Sequence, residues 1–496
     1  MKHTRFPTNR FAAATAGVVI FALLPVAAAS AKHPKPPKPH GPSAHVSCNQ
    51  AALVAAIDAA NSAGGGTLKL AHGCDYQLTS SPDSSENGLP EITTAVAING
   101  NHATIDGTGS FRAFEVDGPG GSLSLRALTI TGGSVQDFGG GIANLGGTVT
   151  LDRTQVNGNS AGIAGGGIAN VTFDPSSVAT LTARLSSVSH NQQTQPPSQD
   201  ESGGLGGGGI ANVDGTAKLD HVRVNGNTAQ GGVGGGIASG DYLGSGGETV
   251  LTLGHSQVNG NVAPNAGGGG IQNLLGKATL NHSQVDGNTS LNGGGIASGN
   301  QGSPSATAEL RLNHSKVNGN TATAGPGGEG PPVAAGGIAN GSDAVLNHSR
   351  VDNNKAPNGL GAGIVNHGMM TLKHSEVNRN TAAASGFAGS GGGILNAQGP
   401  PGTTPAVLIV DHSRVNGNKA GGFGGGIANG VPLPPGPPPL FGGDVTLSHS
   451  NVMHNSAAHG GGVFNNGGTV TLQKSRVTGN HVDNCEPTNS IAGCIN

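Results

Sequence analysis

Eight histidines recur at one point of a repeated pattern: His221, His255, His282, His314, His348, His374, His412 and His449, one in each of eight consecutive repeats. Imidazole is the side chain best suited to moving protons near neutral pH and to ligating soft or borderline divalent metals, so such a file is the first place to look for chemistry. Outside that run Arg153, Leu185 and Lys474 occupy the same place. An exposed polar position multiplied by repeat duplication produces the same file without a ligand, and the sequence pattern suggests no Cys or carboxylate to complete a metal set. The sequence therefore assigns no metal ligand and no cofactor. It does predict that acidification below about pH 6 lowers thermal stability, because like charges accumulate along one edge.

Carboxylates are the other candidates. Those that recur are Asp152, Asp220 and Asp411 in one place, and Asp286 and Asp352 in another, each separated from its like by repeats carrying neutral residues. Cleavage of a glycosidic bond needs paired carboxyl groups, and calcium-assisted elimination needs a cluster of them. Neither pattern is visible, so no catalytic residue is assigned. Asn366-His367-Gly368 is an isolated motif within a repeated asparagine column.

The elements that carry these residues follow from the repeat. From Gly139 the chain cycles through a GGGIAN element, a short strand such as Thr148-Val149-Thr150-Leu151, and a VNGN element. The shortest units, Ile142 to Ile168, Ile210 to Ile237, Ile271 to Ile296 and Ile338 to Ile364, are 26, 27, 25 and 26 residues long, enough for three short strands and three turns. Longer units contain Pro- and Gly-rich inserts at 192–206, 322–334 and 431–443. Side chains alternate across a strand, so Val149 and Leu151 point inward together, and Val156 returns inward only if a bend resets the phase. The place before that valine holds Gln155, Arg223, Lys316, Arg350, Glu376 and Arg414, which must face water, and the place before those is mostly Ser or Thr. One unit buries too little apolar surface to fold alone. Stacked at roughly 4.8 Å, eleven units merge their Ile, Leu and Val into one core about 53 Å long. The fold class is all-β, a right-handed parallel β-helix with a short N-terminal capping helix.

Asparagine marks the turns. Three residues after the valine stand Asn159, Asn191, Asn227, Asn261, Asn288, Asn320, Asn354, Asn380, Asn418, Asn455 and Asn480. A second column runs from Asn144 to Asn465, two residues after each Ile, with Ser239 and Ser298 as exceptions. Asn tolerates left-handed turns, and its amide can bond to the equivalent amide of the next unit, so these columns are assigned as structural ladders.

The ends differ from the middle. Residues 1–31 have the form of an export signal, with Lys2, Arg5 and Arg10 before an apolar run and Ala29-Ser30-Ala31 as the cleavage site. A Pro-rich linker follows at 32–47; a plain spacer is the favoured reading over contact with an anionic cell wall. Residues 48–138 form an N-terminal cap and first coils, with a helix over 50–60 and strands at 67–70, 95–98, 103–105, 111–116 and 123–130. The repeat occupies 139–484 and a disulfide cap 485–496. Four cysteines allow three pairings, of which sequence proximity favours Cys48 with Cys74 and Cys485 with Cys494. After signal cleavage no apolar run of spanning length is seen in the sequence. Charged residues make up 10% and the net charge is −3, giving no basic field for nucleic acid. Trp 0, Tyr 2 and Phe 11 leave little aromatic surface for stacking bases or sugars.

At these residues the chain resembles the secreted right-handed β-helix repeat proteins of actinobacteria. The GGGIAN and VNGN elements are also similar to the GGxI and FxxN repeats of chlamydial polymorphic outer-membrane proteins, with Val156 and Asn159 in the Phe and Asn places. The resemblance extends to Cys48, Gly64-Gly65-Gly66-Thr67, Gly73-Cys74 and Ile98-Asn99-Gly100-Asn101, and covers most of 48–480. It implies the fold and an extracellular placement, with adhesion by analogy to the chlamydial proteins, whose outer-membrane barrel has no counterpart here. Pectate lyases, pectin lyases and polygalacturonases share the pectin-lyase-like fold, but the Asn-Thr-Asp, paired Asp, Gly-His-Gly and Arg-Ile-Lys set of the polygalacturonases is missing. The favoured function is a secreted, non-catalytic surface protein that contacts extracellular polysaccharide or cell-surface components. The alternative is a polysaccharide lyase or glycoside hydrolase with an unfamiliar site.

Overall fold

The computed structural model describes residues 43–195, 205–242, 246–299, 308–323, 334–398, 405–432 and 440–496. The export segment and most of the linker lie outside the described residues, as do parts of the three inserts.

The repeated coil is built as the alternation requires, with one difference. Nine of the repeated coils have four strands where three were expected, seen first as Thr148–Asp152, Gln155–Asn157, Ser160–Ala161 and Ile168–Val171, and the last two have three, with only isolated bridges at Ser456 and His481 in the third place. The first two belong to the same 27-stranded sheet, while the third and fourth belong to sheets of 10 and 14 strands. What parts the first two is one residue in the left-handed region, Arg153 at φ 51°. That residue turns the phase of alternation, so Val149 and Leu151 before it and Val156 after it all point inward and are buried. In the preceding coil the same break lies inside a continuous strand, Ser122–Thr131, at Ala127 with φ 49°. Another such break, at Asn101 and His102, falls within Ala95–Asp106, which joins the strands expected at 95–98 and 103–105.

Strand pairings are parallel among the described residues, except for Leu440–Phe441 against Ile427–Val431. The register places like on like: Val156 faces Val188, and the same file continues through Val224, Val258, Val285 and Val317. Ile142, Ile168, Ile210, Ile237, Ile271 and Ile296 are aligned in the same way. These files and the leucines beside them form one apolar core that runs from Val46 to Ile491. Each fully buried Val, Leu or Ile contributes about 1.5–3 kcal/mol of transfer free energy. The whole is an all-β parallel solenoid, a β-helix.

Both ends are closed. Helix α1 (Gln50–Ser62) begins at Asn49, whose side chain accepts from the Ala52 amide, and lays Leu53, Ile57 and Ala60 over the first coil. Without that lid the apolar cross-section would meet water. The Cys48–Cys74 disulfide spans a Cα separation of 5.7 Å and fastens the cap, while Cys485–Cys494 closes the far end at 6.3 Å. There Cys485–Glu486 pairs with Val463–Asn465 and continues the fourth-strand sheet. No described helix is long and apolar enough to cross a membrane.

Candidate functional site

Most of the polar residues that recur serve the interior. Asn191 Nδ2 donates to the Val156 carbonyl at 3.0 Å and to Asn227 Oδ1 at 3.0 Å, while its own Oδ1 accepts from both the amide and the Nδ2 of Asn159. All four hydrogen-bonding capacities of the side chain are used, which is what a buried amide requires. The bonds between side chains repeat at 2.9–3.0 Å from Asn227 to Asn480, and Asn484, which the repeat pattern does not reveal, ends the ladder at 3.1 Å. The second column bonds similarly, as in Asn366 to Asn396 at 2.8 Å. Where it reaches Ser239 the shorter side chain accepts from Asn212 at 3.0 Å, and Asn273 Oδ1 in the following coil has no partner. A third ladder uses the buried serines: the Ser256 amide donates to Ser283 Oγ, and the Ser283 amide to Ser315 Oγ, each at 3.1 Å.

Loops cover one face. Ala169, Val171, Ala211 and Val213 on the fourth-strand sheet are buried beneath Phe138, Ile163 and Leu205 from the corner before that strand and Tyr242 from the corner after it. Farther along, Val365, Leu395 and Ala428 are covered in the same way by Leu360, Phe423 and Leu440. The outward residue of the IAN element, Ala in most coils but Val365 and Leu395 in two, is therefore packed beneath loops, which the repeat alone does not show. The third glycine of each run is constrained from the other side. A Cβ on Gly167 would come within 2.8 Å of Asn191 Nδ2 and 2.9 Å of the Gly209 carbonyl.

The opposite situation holds at the histidines. Between the first and second strands every repeated coil keeps two residues, as in Glu309–Asn313 to Lys316–Asn318, so no insert interrupts that edge. The eight histidines occupy the left-handed bend itself, with φ between 46° and 54°. Left-handed backbone is uncommon outside glycine, and histidine is among the residues that adopt it more readily. Their rings follow one another from coil to coil with centroids 4.7–5.2 Å apart, stacked in every pair but His374–His412, which is tilted by 32°. About half of the side chain is exposed at His221 (51%), His255 (55%) and His412 (48%).

No family model, curated protein or solved structure matches this chain. Its own geometry must carry the functional reading.

That geometry corrects one expectation. Carboxylates do stand beside the file, because the residue preceding each histidine forms a parallel file of its own. Asp220 Oδ1 lies 3.0 Å from His221 Nδ1 and 3.6 Å from His255 Nδ1, and Asp411 Oδ1 lies 2.9 Å from His412 Nδ1. In each of the sets Asp220, His221, His255 and Asp411, His412, His449, one ligand atom per residue falls within 4.8 Å of the others. Burial pushes the Asp411 carboxyl up, but hydrogen bonds from His412 and Ser448 and the charges of His412 and His374 outweigh it and hold the group below its ordinary value. Asp152, at the same place as Asp220, instead meets Arg153 at 2.9 Å and Arg126 at 3.5 Å. Asp286 and Asp352 lie elsewhere, one residue after the valine file; Asp352 pairs with Arg350 at 2.9 Å, and burial raises Asp286.

Other carboxylates gather in a shallow groove of about 340 Å³ whose lining includes Glu248, Lys277, Glu309 and Asp343. Lys277, Glu309 and Asp343 are consecutive members of one file. Glu248 bonds to Lys277 and Glu309 to Arg311, so these two acids are engaged by cations. A further polar centre has no repeat signal at all. The buried Arg112 guanidinium bonds to Glu115, Asp137, Asn87 and the Phe138 and Gly139 carbonyls, tying the first coils to the repeat. His367 lies in the turn after the fourth strand, with Nδ1 donating to the Ala397 carbonyl at 2.9 Å.

Proposed function

We propose that the chain is an exported, non-catalytic solenoid that presents loops from a rigid shaft to extracellular polysaccharide or cell-surface components, in adhesion or surface coating. The observation that carries this reading is the division of labour among its residues. The asparagines of the turn ladder, present in every repeated coil, and the serines present in most of them are consumed by internal ladders, whereas sequence variety is concentrated in inserts at the two corners flanking the fourth-strand sheet. Two disulfides are compatible with an oxidising compartment. The likeness of the repeats to secreted actinobacterial β-helix proteins and to chlamydial polymorphic outer-membrane proteins supports the same placement and role.

A second reading, a lyase or hydrolase of the pectin-lyase-like fold, is favoured by the groove holding Glu248, Glu309 and Asp343. One pair of experiments separates them. Saturable binding on an array of plant, fungal and bacterial glycans, with no reducing ends and no unsaturated uronate released from a polyuronate panel, is the expected result. Turnover that disappears in Glu309→Gln or Asp343→Asn establishes the enzyme and overturns the proposal.

A further inference from the structure

We propose that the two ends of the histidine file are binding sites for a divalent transition ion of the zinc, nickel and copper class, one made by Asp220, His221 and His255 and the other by Asp411, His412 and His449. The donor set points to that class. Two imidazole nitrogens and one carboxylate oxygen suit borderline first-row ions, whereas calcium and magnesium take oxygen ligands almost alone. Within each set the ligand atoms already lie no more than 4.8 Å apart, and the side chains are partly open to solvent, from 32% for Asp411 to 55% for His255, so small rotations bring them onto one ion. The backbone beneath them does not need to move. Adjacent coils are bonded to one another on both sides of the bend, as in His221 N to the Gly254 carbonyl at 2.9 Å.

The carboxylate decides where along the file an ion is held. Stacked rings direct their in-plane lone pairs side by side, with interplanar angles of 17° for His221–His255 and 9° for His412–His449, so imidazoles alone do not converge. The aspartate bridges the two coils and supplies the negative charge that draws the ion in. In the middle of the file the residues preceding the histidines are Gly254, Asn281, Asn313, Asn347 and Lys373, which are neutral or cationic. Three protein ligands leave coordination positions open for water or an outside donor, the arrangement of a non-structural metal site. No insert shields this edge, and its two sites are held at a fixed separation by the intervening coils.

The test is calorimetric titration of the tag-free, chelator-stripped chain with Zn²⁺ alone. Two saturable equivalents are expected per chain. Asp220→Asn is expected to leave one, Asp220→Asn with Asp411→Asn none, and His314→Gln, in the middle of the file, the full two. Each variant's circular dichroism spectrum should match that of the parent, since the altered side chains lie at the solvent-facing edge outside the core. With Cu²⁺ as the probe, the electron paramagnetic resonance spectrum should carry nitrogen hyperfine structure that is lost in the double aspartate variant. Failure to take up Zn²⁺ saturably, or uptake that ignores both aspartate substitutions, overturns the proposal.

Discussion

His367 is a single side chain whose environment sets a pH dependence. Burial pushes its imidazole below the ordinary value of 6.5, against the opposing pull of the Ala397 carbonyl that it faces. The folded chain therefore keeps His367 neutral at a pH where the unfolded chain has taken up a proton. Stability that is complete above pH 6.5 is lost as the pH falls below it, because the unfolded state then binds more protons. Thermal melts between pH 7.5 and 5 should show a falling midpoint, and His367→Gln should flatten part of that fall; a midpoint equally pH-dependent in the variant removes His367 as the source. The sequence predicts acid lability along the exposed file, and His367 is a separate source of it. His367 was visible as Asn366-His367-Gly368, yet its burial depends on a neighbouring turn that no local pattern describes. Arg112 is harder still, since one arginine in an irregular coil gives no periodic signal for the pocket that holds it.

At the scale of elements, the ladders are what join one coil to the next. In Asn288→Ala the chain loses the bonds to the Val258 carbonyl and to Asn320 Oδ1, and it also leaves the amide of Asn261 and one of the two Nδ2 hydrogens of Asn261 without their acceptor, the other still bonding to the Val224 carbonyl. Several buried groups without partners cost about 3 kcal/mol together, so the denaturation midpoint should drop clearly in an equilibrium melt. A loss of less than about 0.5 kcal/mol would mean that water or a shifted neighbour replaces the ladder. This element was legible because Asn recurs at a fixed distance from a valine that never varies. The capping helix was legible as well, from the apolar spacing of Leu53, Ile57 and Ala60. The third strand was not: Ser160–Ala161 is two residues long, too short to show alternation, and pairing across coils is what makes it a strand. Nor was the aspartate beside the histidine file, because adjacency in sequence did not reveal that Asp220 also reaches His255 in the next coil.

The solenoid of the described residues is quasi-one-dimensional. Each coil touches its neighbours, so stability is a sum of coil and interface terms and the two ends need separate closure. Helix α1 and the Cys48–Cys74 disulfide serve one end, and Cys485–Cys494 the other. With a sequence separation of 26 for the first pair and 9 for the second, chain-entropy reasoning assigns them about 3.5 and about 2.6 kcal/mol. The same stacking that builds the core aligns the exposed histidines into a file and carries inserts to the corners beside one sheet, so every functional reading depends on it. The measurement that tests it most directly is oxidative cross-linking of paired cysteines on the outer face. Thr252 and Thr279 are register partners in adjacent coils, and Arg311 stands one coil farther along the same file. Thr252→Cys with Thr279→Cys should form a disulfide rapidly under mild oxidation, whereas Thr252→Cys with Arg311→Cys should remain as free thiols. Equal cross-linking of the two pairs, or cross-linking of the second alone, would contradict the stacked register.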